Sequence, residues 1–428
     1  MHIGFISTRL AGTDGVSLET QKWVTIMQRL EHETSYCAGE LDAGLPGMLV
    51  PEMHFNHPTV KWIHDQAFGS TRPCHDLLGS IDRMAKKLKQ AIRRYVEAYH
   101  IDVLIAENIL AIPMNIPLGL ALTEFIAETH FPTIAHHHDF YWERERFQKN
   151  CIAEFLEKAF PPSLPSIRHV VINMPAANSL REQRGLDSTI IPNIFDFSRA
   201  ARGINTFSRD LRGSLGLTNQ NLMILQPTRV IRRKGIELSI ELVQRLREPE
   251  NVARLLGKEP VLVITHHAGD EGQEYLEELE EKARQARVPM IYAATRFRPT
   301  ASLINNRKIY SLWDAYVQAD FVTYPSRYEG FGNALLETVY FRLPLLINRY
   351  NVFNSDIAPL GFELVEIDGE ICDETVEQVI EATIDPVIRR HMVEYNYQLA
   401  LEHFSYEAVT PKVQVLIQAL MNGGQSIL

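Results

Sequence analysis

Short, continuous apolar runs alternate along this chain with longer segments whose apolar residues recur at helical spacing. His2–Ser7, Asp102–Ala106, Thr133–Ala135 and His169–Ile172 read as buried strands, and Val16–Leu30 and Ile81–Tyr99 carry the period of amphipathic helices. Past Thr218 the alternation starts afresh. Strands are predicted at Leu222–Gln226, Pro260–Thr265, Asp320–Thr323 and Leu345–Asn348. Helices are predicted at Ile236–Arg247, Gln273–Ala286 and Ala334–Phe341, with a terminal amphipathic helix at Tyr406–Met421. Strands alternating with helices imply parallel sheets covered on both faces. The polar stretch that follows Ile190-Ile-Pro-Asn-Ile-Phe-Asp196 separates the two series and marks a domain boundary. The expected fold class is therefore α/β, with two doubly wound domains at 1–200 and 201–403 and a closing segment at 404–428. In such folds ligands bind outside the carboxyl ends of the strands, so a deep cleft between the domains is expected.

Composition agrees and removes some classes. A chain of 428 residues exceeds one ordinary core, and two domains of roughly 200 residues are the natural division. Hydrophobic content of 45% and charged content of 22% fit a soluble globular protein. A net charge of -10 argues against a general nucleic-acid binder, while leaving room for a local basic pocket. Cys37, Cys74, Cys151 and Cys372 lie far apart with no C-x-x-C pair, so neither a zinc knuckle nor a disulfide framework is expected, and a reducing cytoplasm fits. The N-terminus reads as a first strand and not as a signal peptide. The most apolar long stretch, Ile109 to Ala127, contains Pro113, Asn115, Pro117 and Glu124 and is poorly suited to a membrane span. No stable membrane insertion is expected; a homo-oligomer is left open.

Candidate chemistry concentrates in Arg327-Tyr-Glu-Gly-Phe-Gly-Asn-Ala-Leu-Leu-Glu337. A strand ending at Pro325, a glycine turn and a helix N-terminus make a common anion site, because the first helical amides lack partners and the macrodipole favours negative charge. Glycines let the backbone approach a ligand closely. Glu329 before the turn and Glu337 beyond it are placed to hold hydroxyls on either side of a diphosphate, the layout of a nucleotide-sugar. The same pattern also describes an ordinary turn with two solvated glutamates. A second strand-to-helix loop, Pro227-Thr-Arg-Val-Ile-Arg-Arg-Lys-Gly235, supplies Arg229 and Lys234, with Arg232 and Arg233 either solvated or contributing. Fixed cations there would stabilise charge that builds on a diphosphate leaving group. His136-His-His-Asp-Phe-Tyr-Trp142 follows a strand; consecutive side chains point in different directions, so convergence on one metal ion is not expected. The loop Leu10-Ala-Gly-Thr-Asp-Gly-Val-Ser-Leu-Glu19 is a weaker candidate for a ligand-facing turn.

These residues resemble one family. Glu329 and Glu337 resemble the E-x7-E signature of retaining glycosyltransferases of family 4, and Arg229 and Lys234 resemble that family's R-x4-K pair. Ile191-Pro-Asn-Ile-Phe-Asp196 is similar to its I-P-N-G-[VI]-D string, with Ile194 in place of the glycine. Phe404-Ser-Tyr-Glu407 resembles the F-S-[WY]-E string before a final helix that crosses back to the first domain. The resemblance implies the GT-B fold, two Rossmann-like domains facing across a cleft. It implies that Arg229, Lys234 and the turn Gly330, Phe331, Gly332, Asn333 and Ala334 hold the donor diphosphate, that Glu337 takes the ribose hydroxyls, and that Glu329 contacts the sugar. His138, in a string resembling H-D-[FY], would lie near the anomeric centre, with His136 as the alternative. Gly15 would lie under the donor phosphates, and Asp14, Asn108 and His136 would face the acceptor. Glu329, His138, Arg229 and Lys234 are the implied catalytic group. The chain has no D-x-D pair, so metal-independent catalysis without a cofactor is expected.

The partners implied are a nucleotide-sugar donor and a small soluble acceptor, with no nucleic acid. The strings Thr-Asp-Gly-Val-Ser-Leu-Glu and His-His-Asp-Phe-Tyr-Trp-Glu-Arg resemble a bacterial subgroup that includes mannosylglucosylglycerate synthases, which use GDP-mannose and glucosylglycerate. A sucrose-phosphate-synthase-like transfer from UDP-glucose, a GT-B nucleotide-sugar epimerase and a non-catalytic sugar-nucleotide binder are the other readings. On this view Glu329→Gln reduces transfer with little effect on stability, and Lys234→Ala weakens nucleotide-diphosphate binding.

Overall fold

The computed structural model describes residues 1–12, 14–269 and 273–421, which form two α/β units. The first takes Met1–Ile194 together with the final helix Tyr406–Met421, and the second takes Phe195–Ser405. The chain thus changes units at Ile194/Phe195 and again at Ser405/Tyr406. Residues 422–428 of the expected closing segment, and Thr13 of the Leu10–Glu19 loop, lie outside the described residues.

The first unit is built on seven parallel strands: β1 (His2–Ser7), β2 (Glu33–Ala38), β3 (Gly47–Leu49), β4 (Val103–Glu107), β5 (Thr133–His137), β6 (Ile167–Val171) and β7 (Ser188–Ile190). Their order is β3-β2-β1-β4-β5-β6-β7. Strands covered on both faces read as apolar runs, not alternations, and β4 is buried along its whole length. Alternate residues feed separate cores. Ile6, Leu104, Ala106 and Ala135 pack with the helices Leu77–Ala98 and Ile116–Thr129. Ile3, Phe5, Val103, Ile105 and Ile134 pack with the helix Gly15–Arg29 and the final helix. The apolar stretch after Ile109 supplies Ile116–Thr129, a helix buried on nearly every side. Among the described residues no helix is long and apolar enough to cross a membrane.

The second unit carries a six-stranded parallel sheet of β8 (Asn221–Gln226), β9 (Glu259–Ile264), β10 (Met290–Tyr292), β14 (Phe321–Tyr324), β15 (Leu345–Asn348) and β16 (Val365–Ile367), in the order β10-β9-β8-β14-β15-β16. A small sheet of β11 (Phe297–Arg298), β12 (Ser302–Ile304) and β13 (Arg307–Ser311) is inserted before β14. The sequence reading placed no strands in that insert or at β2, β3, β7, β10 and β16. The hairpin between β12 and β13 turns on Asn305 and Asn306, both left-handed at φ +50° and +59°, the turn chemistry that matches strand twist. In both units the direction of winding reverses beside the first strand, between β1 and β4 and between β8 and β14. That reversal opens a ligand crevice at the strands' carboxyl ends.

Candidate active site

In the second unit the candidate residues gather at this reversal. After β8 the chain makes one 3-10 turn, Arg232–Lys234, and leaves it through Gly235 at φ +61°. A side chain at Gly235 would start 2.4 Å from the carbonyl oxygen of Pro325, so glycine there lets the loops after β8 and β14 close on each other. The Arg327 amide donates to the Arg233 carbonyl at 2.8 Å and joins them. Arg233 Nη1 donates to the Tyr328 carbonyl at 2.8 Å and to Glu329 Oε2 at 2.9 Å. Lys234 Nζ pairs with Glu329 Oε1, and both residues are buried. The Lys234 ammonium also lies 5.4 Å from the centre of the Tyr324 ring.

Burial opposes ionisation of Glu329, but Lys234 and Arg233 outweigh it and hold the carboxyl below its usual range. Burial, with Arg233 and Arg229 nearby, pulls Lys234 below the ordinary lysine value despite Glu329. Arg229 itself is exposed. Burial together with Lys234 and Arg229 pushes His266 down to about 4, so a neutral imidazole adjoins the cations at neutral pH. His266 is absent from the sequence candidates; its signal is its position just after a strand, the one that also marked Arg229.

The glycine turn is equally constrained. Phe331 is buried against Phe404, with ring centres 5.3 Å apart, and its carbonyl accepts from Tyr350 Oη at 2.7 Å. Gly332 has φ +114°, and a Cβ on it would fall 2.4 Å from Tyr350 Oη. Gly332 is the N-cap of the helix Asn333–Tyr340 and has no side chain with which to cap it; a helix N-terminus favours anions. Gly330, Asn333 and Ala334 flank it. Glu337 lies on the same helix, where the Tyr316 hydroxyl donates to its Oε2 at 2.7 Å. Burial and this carboxylate hold the Tyr316 phenol well above its ordinary value, which keeps it a donor.

The first unit assembles a second group. Glu107 ends β4 and is in register with His136 on β5. His138, two residues on, reaches the same carboxylate: Glu107 Oε2 is 3.0 Å from His136 Nδ1 and 3.4 Å from His138 Nε2. Burial opposes ionisation of Glu107, yet the two histidines hold it at about 2. Burial alone would lower His138; Glu107 outweighs it and raises His138 above the ordinary histidine value. His137 points away, with Nε2 2.9 Å from His169 Nδ1. The argument from diverging side chains thus holds for His137 but not for His136 and His138, which are two residues apart. Glu107, His136 and His138 bring one ligand atom each within 4.8 Å of one another and form the group able to hold a metal ion among the described residues. Glu107 was not legible as a partner because its register with His136 links residues far apart in the chain.

The remaining candidates surround the carboxyl ends of β1 and β4. Asp14 caps the helix Gly15–Arg29, accepting from the amides of Val16 and Ser17 at 3.1 Å each and from Arg9 Nη2 at 2.8 Å. Burial opposes ionisation of Asp14, and Ser17 and Arg9 overcome it. Gly15 begins that helix with open space where a side chain would stand. Asn108, at φ +58°, accepts from the His138 amide at 3.0 Å and donates to Asp139 Oδ1 at 2.9 Å, so its amide braces the His-Asp loop. A cavity of ≈140 Å³ lies here, with Arg9, Asp14, Phe55, Glu107 and Asn108 in its wall.

Comparison with known proteins gives the class. The family model described as glycosyl transferases group 1 matches residues 207–399. The chain belongs to that family, the family 4 type of glycosyltransferase, and is a hexosyltransferase of the GT-B fold. More particularly, it is 34% identical over 432 residues to the mannosylglucosylglycerate synthase of Thermotoga maritima, covering 95% of this chain and 97% of that one. It is also 34% identical over 386 residues to the mannosylglucosylglycerate synthase of Petrotoga mobilis, covering 86% and 87%. Among solved structures, HepE of Anabaena in complex with UDP and glucose matches with a TM-score of 0.63 at 13% identity, over 97% of this chain and 99% of that one. Sucrose-phosphate synthase from Thermosynechococcus elongatus matches with a TM-score of 0.63 at 15% identity, over 98% and 99%. At such identities the likeness shows the fold.

Proposed function

We propose that this hexosyltransferase moves mannose from GDP-mannose to a small soluble acceptor of the glucosylglycerate type, with retention at the anomeric carbon. The donor and acceptor follow the two mannosylglucosylglycerate synthases to which nearly the whole chain is similar. The observation that carries the reading is the buried pairing of Lys234 with Glu329 at the strand reversal of the second unit, with the charge of Arg229 close by and the Gly332 turn following Glu329. Arg229, Lys234 and the amides of Asn333 and Ala334 would hold the diphosphate, and Glu337 the ribose. Lys234 would exchange part of its contact with Glu329 for phosphate oxygens, freeing a carboxylate oxygen for the sugar hydroxyls. In the first unit the acceptor would sit near Asp14, Asn108 and His138, whose imidazole Glu107 holds above the ordinary histidine value.

Charge leaving with the diphosphate would be met by fixed cations, so catalysis would not need a divalent ion. Attack from the leaving-group face, with a donor phosphate oxygen taking the acceptor's proton, would give retention. Thermal stabilisation by GDP, UDP, ADP and their sugar conjugates in EDTA tests the reading. A selective shift with GDP and GDP-mannose supports it. A selective shift with UDP-glucose moves the donor to glucose, and no shift from folded protein removes the nucleotide-sugar assignment.

A further inference from the structure

The cavity at the carboxyl ends of β1 and β4 has an uneven set of charges. Arg9 is the one cation in its wall, beside two acids, Asp14 and Glu107. Asp14 is fully committed and Glu107 is committed through Oε2, its Oε1 being buried without a hydrogen-bond partner among the described residues. Glu107 faces His136 and His138, and Asp14 is consumed by the amides and hydroxyl it accepts from at the helix N-terminus. Arg9 is only partly used. Its Nη2 donates to Asp14, and its guanidinium lies 5.6 Å from the centre of the Phe55 ring. Among the described residues its Nη1 and Nε make no hydrogen bond. Phe55 is itself held, stacked on His54 with ring centres 4.4 Å apart, and His54 in turn pairs with Glu40 at 3.2 Å. A guanidinium fixed on two sides, with one edge unspent, is a pre-organised fork for a carboxylate. A polyol hydroxyl does not call for such a fork. The cavity volume of ≈140 Å³ suits the small acid end of an acceptor, with the sugar outside it.

We propose that Arg9 is the residue through which this transferase reads a carboxylate on its acceptor, making the β1–β4 cavity a subsite for the acid end of a sugar acid. This rests on the acceptor class proposed above. Arg9 acts on binding and selectivity, not on the bond that breaks, and the neutral analogue of the same acceptor, glucosylglycerol, isolates its effect.

The test compares kcat/KM for glucosylglycerate and glucosylglycerol in the wild type, Arg9→Gln and Arg9→Lys, with thermal stabilisation by GDP measured on each. A paired charged hydrogen bond is worth about tenfold to a hundredfold, so the wild type should prefer glucosylglycerate by at least that factor. Arg9→Gln should bring the two acceptors within a few-fold of each other, mainly through KM. Arg9→Lys should retain part of the preference, and stabilisation by GDP should stay at the wild-type level in both variants. An undiminished preference in Arg9→Gln overturns the inference while leaving the proposed function standing. So does a loss of GDP stabilisation with the preference intact, which would place Arg9 on the donor phosphates. Wild-type protein that transfers to neither acceptor overturns the acceptor class, and this inference with it.

Discussion

Glu329 is buried between Lys234 and Arg233, and that changes what its removal means. On the family resemblance alone, Glu329→Gln would cost little stability. With the carboxylate gone, Lys234 is left buried without its counter-ion, and breaking a buried pair in this way costs roughly 3 kcal/mol or more. Glu329→Gln should therefore lower both transfer and the unfolding free energy, measured by urea titration beside single-turnover transfer. Wild-type stability would mean the pair contributes nothing. Lys234→Ala should lose stability similarly and lose most of its affinity for GDP by calorimetry, whereas unchanged affinity would refute its phosphate role. Sequence reasoning found Lys234 and Glu329 as separate candidates. It could not find their contact, because 95 residues separate them and only the pairing of β8 with β14 closes that distance.

Among the elements, the strand-to-helix turns carry the site, and their glycines were legible for a physical reason. Gly332 is at φ +114° and Gly235 at φ +61°, each with another atom 2.4 Å from where a Cβ would stand. Only glycine fits, and that mark is visible in sequence as Gly-Phe-Gly and Lys-Gly. A strained left-handed residue costs roughly 1–3 kcal/mol. Gly332→Ala should lose at least that much, and should lose GDP affinity as Tyr350 gives way. A fully stable, GDP-binding Gly332→Ala protein would contradict the close fit. Gly15 differs: among the described residues nothing crowds its Cβ position, so Gly15→Ala should leave the fold stable. The strands missed by sequence, β2, β3, β7, β10, β16 and the β11–β13 insert, are short or polar and carry little periodicity. Glu107 was missed because β-register, not sequence spacing, joins it to His136.

At the scale of the molecule, several buried histidines give stability a definite pH dependence. Burial holds His137 well below the ordinary value of 6.5 and takes His169 and His266 to about 4. Below pH 6.5 the unfolded chain takes protons that the native chain refuses, so stability present above 6.5 falls as pH drops toward 4. His138, raised by Glu107, acts with the opposite sign: its contribution is full below 6.5 and is lost as pH rises through its elevated value. Because the His138 contribution is constant below 6.5, the three depressed histidines predict a thermal midpoint that falls steadily between pH 6.5 and 4.5; a flat profile there would contradict the assignment of neutral buried histidines. The two-unit α/β architecture was legible in the alternation of runs, because buried parallel strands are apolar throughout. The reversals that place the sites belong to strand order, which no local pattern encodes.

The central claim is metal-independent transfer of mannose with retention, and the most direct test is the product. The protein is incubated with GDP-mannose and glucosylglycerate in EDTA, and the new linkage is read from its anomeric carbon–proton coupling. The account predicts an α-mannoside formed at the rate seen with added magnesium. A β-linked product would contradict retention, a rate that collapses on chelation and returns with a divalent ion would make the Glu107–His136–His138 group the first place to look for the metal, and the absence of product would contradict the assigned substrates.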